Sequence, residues 1–374
     1  MMIKRLAFLT LFSANLALAQ ETTPWPALSF SSSHIDKQEL RKTYIHLSQE
    51  AYDKKLQASL ESPLLFFRSF VNTYYADLSA VTTPSDLIPC FGDPHIENFG
   101  FMEFPDKTRF VFNDLDDSGL CPVPLDLLRY FSSLVIFTGN ETLLKEMAAE
   151  YTAIIIGAKK AQPLPAALYP SLEKKRSSFL KKHTHGGTFK SSAEMKPLPA
   201  PQRSEMLAAL QKHETLKDVQ LLDVAETGKD SGGSAGLRRY LLLIEKAQKK
   251  DVLELKELNK PGTTYGSWTE SADPLSARLE KIKQQLWHGS PHFYTVVELE
   301  KIPFLLRSRI DDSLNVNKMN PAEMREYFRV QVGILATHHR PFFKKSTHGL
   351  ESWLLQNTAI LKDRYIHTYK ILKP

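Results

Sequence analysis

The stretch from Phe91 to Tyr130 constrains this chain more than any other. Its first motif, FGDPHIENFG, packs an acid, an imidazole, a second acid and an amide into a short polar run between two hydrophobic edges. Those edges predict a frame. LIPCF and TRFVFNDLD have the alternation and β-branched or aromatic content of short strands, so the polar run is a loop near the first strand. The acidic run DLDDSG closes the second. PLDLLRYFSSLVIFTG and ETLLKEMAAEYTAIIIGAKKA are apolar at helical spacing and are expected as buried helices.

The residue types in this frame suit phosphoryl transfer. That reaction needs an aspartate to take or orient the acceptor's hydroxyl proton, while an asparagine a few residues later and a separate aspartate hold magnesium against the phosphates. Asp93 and Asn98 stand in the D-x-x-x-x-N relation of a kinase catalytic loop. Asp114 follows on the next strand, where a hairpin can bring its carboxylate beside Asn98. Magnesium prefers hard oxygen ligands and takes few carboxylates, which fits this set. The register of the acidic run leaves Asp116 and Asp117 as alternatives to Asp114. Downstream, GKDSGGSAG is a glycine-rich turn between strands, with Gly232, Gly233, Ser234 and Gly236 able to let backbone N–H groups approach phosphate. Lys256, on the following strand run, is the candidate to neutralise the same phosphates. Glu280 is expected as its helix partner, with Glu270 as the rival.

The remaining chain divides into lobes. Apolar spacing predicts a helix over 36–60 and a second from Pro63 to about 80, ahead of the polar loop. Residues 163–203, rich in Pro, Lys, His and Ser, read as a long, partly mobile connection with room for a short helix. A helix over 205–213 is followed by period-two runs, VQLLDVAE, LRRYLLLIE and DVLELKEL. Asp273-Pro274 starts the helix LSARLEKIKQQLW. HFYTVVELEK and PFLLRSRI are two more strands with a tight connection at Ile302-Pro303, and the chain ends in two helices. The expected fold class is α+β, with a helical lobe over 20–218, a smaller antiparallel-sheet lobe over 219–312, and C-terminal helices 313–374 returning to the first lobe. His183, His185, His338 and His339 lack carboxylate or cysteine partners at ligand spacing and are expected to be solvated.

FGDPHIENFG, FNDLDDSG and PLDLLRYF together resemble the aminoglycoside-phosphotransferase and choline-kinase branch of the protein-kinase-like fold, whose signature is G-D-x-H-x-x-N, a hydrophobic-D strand and a D-L helix. The chain looks closer still to the bacterial DUF2252 family, which shares G-D-x-H-x-E-N-F-G, N-D-x-D, and a later G-S-x-G and K-E pair, here Gly233 to Gly236 and Lys256-Glu257. The anchors run from about Pro63 to Arg309. The resemblance implies ATP and Mg2+ or Mn2+ as cofactors. It implies Asp93 as catalytic base, Asn98 and Asp114 as metal ligands, and Asp126 with Arg129 as a brace for the loop. His95 would be structural or touch the acceptor, and Arg68 would reach phosphate. Kinases of the usual order place the glycine loop and lysine before the catalytic loop. Here Asp93 precedes Lys256, so the implied two-lobed fold is circularly permuted. The expected activity is transfer of a phosphoryl group to a hydroxyl of a small molecule or protein. A nucleotide-binding module without catalysis and a nucleotidyl transferase of the same fold are the alternatives. A metallophosphoesterase, suggested by Gly92-Asp93, His95 and TGNET, lacks an upstream D-x-H and a G-N-H cluster.

Lys4 and Arg5 precede the apolar run LAFLTLFSANLALA, with Ala17-Leu18-Ala19 at signal-peptidase spacing. Residues 1–19 are therefore expected as a signal peptide cleaved after Ala19, and the mature chain as periplasmic or secreted, with no membrane span. The formal charge of +6 is too mild to mark a nucleic-acid binder. The two cysteines, Cys90 and Cys121, flank the acidic motifs and would enter an oxidising compartment, as a disulfide or as two thiols.

Overall fold

The computed structural model describes residues 28–79, 87–228, 235–268, 274–309, 312–343 and 347–374. The expected signal peptide lies outside them. The fold class is α+β, as expected.

Four short helices open the described chain: α1 (Lys37–Lys42), α2 (Gln49–Ser59), α3 (Pro63–Ser69) and α4 (Val71–Asp77). Each of the two expected long helices is thus broken once. Asp36 and Glu39 form a capping box on α1, Ser48 caps α2, and Ser62 caps α3 just before Pro63. The breaks are linked by one side chain. The Tyr44 hydroxyl donates to Ser69 O at 3.0 Å and accepts from Asn72 N at 3.3 Å, taking up backbone groups that a continuous helix through Phe70 would pair. Arg41 meanwhile donates to the carbonyls of Tyr44 and Leu47 between α1 and α2.

Next come β1 (Leu87–Cys90), β2 (Phe99–Glu103), β3 (Thr108–Phe112), β4 (Gly119–Pro122), α5 (Val123–Thr138) and α6 (Glu141–Ile155). β1 pairs with β4, and β2 with β3, both antiparallel. Strand β2 was hidden in the sequence by its glycine and by the polar loop running into it. Gly139, left-handed at φ 60°, ends α5, and Asn140 caps α6. Residues 163–203 are more structured than expected: α7 (Leu172–His183), the small hairpin β5 (Thr184–His185) and β6 (Thr188–Phe189), β7 (Met195–Pro197), then the start of α8 (Ala200–Gln211).

The remaining strands of the large sheet follow, β8 (Gln220–Thr227), β9 (Arg239–Lys246), β10 (Lys249–Glu257), β11 (Tyr294–Leu299) and β12 (Ile302–Ser308), with α9 (Leu275–Trp287) between β10 and β11. The sheet order is β11-β12-β10-β9-β8-β7, all antiparallel. Ala247-Gln248 and Glu300-Lys301 turn the β9–β10 and β11–β12 hairpins with positive φ at both central residues. The second turn therefore precedes Ile302-Pro303. α8 packs on one sheet face with Leu210, Leu242, Leu255 and Leu306. α7 and β6 cover the other, around Phe189, Leu241 and Val252. Residues 172–211 thus pack with the sheet, ahead of the border at 219 read from periodicity.

β13 (Asp312–Ser313) joins β2, and α10 (Pro321–His339) and α11 (Leu350–Leu372) pack with α5 and α6, in a core that also takes in Leu279, Ile282 and Trp287 of α9. Among the described residues no helix is long and apolar enough to cross a membrane.

Candidate functional site

The polar loop is built by tight backbone turns and anchored from below. Gly92 has φ +87°, and a Cβ there would stand 2.1 Å from the Asp117 carbonyl oxygen, so only glycine fits. The amides of Phe91 and Gly92 donate to the Asp126 carboxylate at 2.8 and 3.1 Å. Asp126 sits in the first turn of α5, fully buried, with His339 Nε2 at 3.4 Å. Past Gly92, His95 N and Asn98 Nδ2 both donate to Asp93 O, at 2.8 and 3.0 Å, and Asn98 N donates to His95 O at 2.9 Å. The five-residue spacing is thus a closed turn. It places Asn98 at the start of β2, where its carbonyl accepts from Asn113 N on the neighbouring strand end.

The side chains of this loop are held by two arginines. Arg129, with no exposed surface, donates from Nε to Asp93 Oδ1 at 2.7 Å and from Nη1 to Phe67 O at 2.9 Å. Its guanidinium lies over the Phe67 ring at 4.1 Å and the Tyr74 ring at 5.0 Å. Asp93 Oδ2 stands 3.7 Å from His95 Nε2. Arg68 donates to His95 Nε2 at 3.1 Å and pairs with Glu97.

The acidic run lies between this loop and the sheet. Three side chains from α9 and β11 hold it: Trp287 Nε1 donates to Phe112 O, Leu115 N donates to the Tyr294 hydroxyl, and Arg278 donates to Asp116 O and Ser118 Oγ. Lys256, on β10 and 3% exposed, then places Nζ 3.2 Å from Asp114 Oδ2 and 2.5 Å from Asp116 Oδ2. Arg307, on β12, reaches Asp114 Oδ1 at 3.3 Å and Glu254 at 2.8 Å. Glu254 also pairs with Arg239. The sheet register explains this convergence, because Glu254 faces Arg307 and Lys256 faces Arg239 across neighbouring strands. Burial works against the charge on Glu254, yet Arg307 and Arg239 hold its pKa well below the carboxylate range. Burial likewise opposes the charge on Lys256, and Asp114 with Asp116 more than offsets it, raising that pKa.

Burial and then the neighbouring Asp114 push the Asp116 carboxyl up to about 6, with Lys256 opposing. Burial, Asp116 and Asp93 push Asp117 up to about 8, although Gly262 N donates to its Oδ1 at 2.8 Å. A carboxyl whose pKa is raised on folding contributes stability in full below the unfolded value of about 4 and loses it as pH climbs through the folded value. Stability should therefore fall between about pH 4 and about pH 8. Asp117→Asn, which keeps an acceptor for Gly262, should flatten that slope and gain roughly 1–2 kcal/mol over the wild type near pH 8. Urea melts of both proteins at acid and alkaline pH test this.

A cavity beside Asp116 and Asp117 is walled by Tyr44, His46, Asn72 and Lys260. Asp114 and Asp116 converge on one small cation, the Lys256 ammonium, so their donor set suits a hard divalent ion completed by water and phosphate oxygens. Cys90, Cys121 and Asp126 also gather within 4.8 Å of one another, but the two sulfurs form a disulfide and Asp126 is spent on the loop amides. That cluster is structural.

Residues 48–158 and 170–360 match a single family model, described as an uncharacterized protein conserved in bacteria, DUF2252. The chain belongs to this family. No curated protein and no solved structure matches it. The matched region contains both the polar loop and the sheet residues that meet the acidic run.

The residues singled out in the sequence fall into two neighbouring groups: Arg68, Asp93, His95, Asn98, Asp126 and Arg129 around the polar loop, and Lys256 with Asp114 and Asp116, the strands between them tied by Asn113 N donating to Asn98 O. Glu280 joins neither. It lies on the outer side of α9, pairs with Lys283 at 2.5 Å and accepts from Gln284. Gly232, Gly233, Ser234 and Glu270 lie outside the described residues. Gly236 has φ +84° and packs near Leu47, next to the cavity residues Ala235 and Leu237. His338 and His339, expected in solvent, are largely covered: His339 contacts Tyr151 and Asp126, and burial with His339 beside it lowers the His338 pKa to about 4. Helix α10 packs them against β1 and α6, a contact that neither local spacing nor composition signals. Sequence reasoning also missed Arg239, Glu254, Arg278 and Arg307. For Glu254 and Arg307 the available signal was a charge at alternate positions inside otherwise apolar strands, as in DVLELKEL and PFLLRSRI, while Arg278 lies on helix α9 and carried no such signal.

Proposed function

We propose that this protein is a magnesium-dependent phosphotransferase of a circularly permuted, kinase-like design, moving the γ-phosphoryl group of ATP to a hydroxyl of a small molecule or protein. One observation carries the reading: Lys256 and Asp114, 142 positions apart, meet at 3.2 Å beside the Asp93–Asn98 turn. In this assignment Asp114, Asp116 and the Asn98 amide hold the metal. Bound there, magnesium would neutralise phosphate oxygens as charge develops. Lys256 and Arg307 supply fixed positive charge from the sheet side, and both pair with Asp114. Asp93 takes the acceptor proton at Oδ2, because Oδ1 is held by Arg129 and cannot turn away. His95 and Arg68 orient that carboxylate and the rim of the loop.

The test is incubation with ATP labelled at either the γ or the α phosphorus. Label moving from the γ position only, with magnesium and not with chelator, is the expected result. Transfer from the α position would instead make the site a nucleotidyl transferase. Nucleotide binding without turnover would make it a binding module.

A further inference from the structure

The charge of this chain is unevenly placed. Residues 159–203 carry eight lysines and two arginines against only Glu173 and Glu194, so this one segment holds more positive charge than the +6 of the whole chain. Its centre is α7, and the helix sorts its residues by face. Leu172 is buried and Arg176, Phe179 and Leu180 are half-buried, on the side packed against β10. Lys174, Lys175, Ser178, Lys181 and Lys182 are exposed, at the spacing of a single outward stripe.

Both arginines are committed inward. Arg176 pairs with Asp251 at 2.9 Å and with Glu103, and Arg203 faces Asp223 at 3.5 Å. Lys174, Lys181 and Lys182 form no ion pair among the described residues. Lys190 folds the β5–β6 hairpin back onto the helix end, its Nζ donating to Lys181 O at 3.1 Å and Lys182 O at 3.3 Å, and so adds its charge to the same patch. Ahead of the helix, Tyr169 rests its ring on Phe101 at 4.8 Å and leaves 43% of its surface to solvent.

We propose that this lysine face docks on an anionic lipid surface. A stripe of flexible point charges gains from a diffuse negative field without a fixed geometry. Recognition of nucleic acid draws on arginine forks and on ranks of stacking aromatics, and here the arginines are spent on carboxylates. The amphipathic Tyr169 at the edge of the patch suits the headgroup level of a bilayer.

The test is co-sedimentation of the full chain with vesicles of phosphatidylglycerol and phosphatidylcholine in equal parts, and with phosphatidylcholine alone. Binding to the anionic vesicles only, weakened by salt, is expected. Each lysine near such a surface is worth about fivefold in partitioning, so Lys174→Glu, Lys181→Glu and Lys182→Glu together should lower it by on the order of a hundredfold or more. Reversing the exposed Lys37, Lys281 and Lys370 instead gives the same net charge and should cost far less. Equal loss in both triple variants would reduce the effect to net charge and overturn the proposal. So would an absence of binding at low salt, or equally tight binding to double-stranded DNA lost in the α7 variant.

Discussion

Replacing Arg129 with Met should lower the melting temperature by on the order of 10 °C. The side chain is wholly buried, and the substitution leaves the Asp93 carboxylate in the interior without its cation. Breaking one partner of a buried pair costs about 3–5 kcal/mol, chiefly as the penalty on the charge left behind, and in a chain of this size each kcal/mol moves the midpoint by about 2–4 °C or less. The carbonyl of Phe67 also loses its donor. Adding Asp93→Asn should return part of the loss, because the stranded group is then neutral and the two changes act on one interaction. Thermal melts of the two single variants and the double variant close that cycle. An Arg129→Met protein that melts with the wild type would remove Arg129 from beneath the loop.

The second large effect concerns the disulfide. Cys90 and Cys121, separated by 31 positions, join β1 to β4 and enclose Asp93, Asn98, Asp114 and Asp116. On the chain-entropy account, a loop of that length contributes about 3–4 kcal/mol by restricting the unfolded chain. Cys90→Ala with Cys121→Ala should therefore fall in urea midpoint by an amount close to that of the Arg129 variant. The wild type treated with dithiothreitol in urea should follow it. A double variant as stable as the oxidised wild type would show that the strand pairing holds the segment without the bridge.

These two effects meet on the same few residues, and the sequence announced some of them better than others. Asp93, Asn98 and Asp114 stand out in the sequence by residue type and spacing, and the fold closes the first two into one turn and sets the third against Lys256. The supporting pair Asp126 and Arg129 was legible through the resemblance. The lysine's partner was not. A helix glutamate was the expectation, yet α9 turns Arg278, Leu279, Ile282 and Lys283 inward, and Glu280 falls on the solvent side of that helix. Lys256 instead meets the acidic run directly. Arg307 and Glu254 were hidden because a charge on a buried strand reads as an exposed residue of an amphipathic one until the neighbouring strand supplies its partner. The helix break at Phe70 is held by one tyrosine reaching across from the turn between α1 and α2, which local periodicity does not register.

In the proposed reading, the Asp114–Asp116–Lys256 cluster is a metal-assisted nucleotide site. Thermal melting of the protein with ATP, with and without magnesium, beside Asp114→Ala, tests it most directly. Ligand at about a hundred times its dissociation constant stabilises the folded state by about 2.7 kcal/mol. A rise of several degrees is expected with ATP and magnesium together, little with ATP and chelator, and none in Asp114→Ala. A wild-type protein whose midpoint stays fixed under every nucleotide and metal would contradict it.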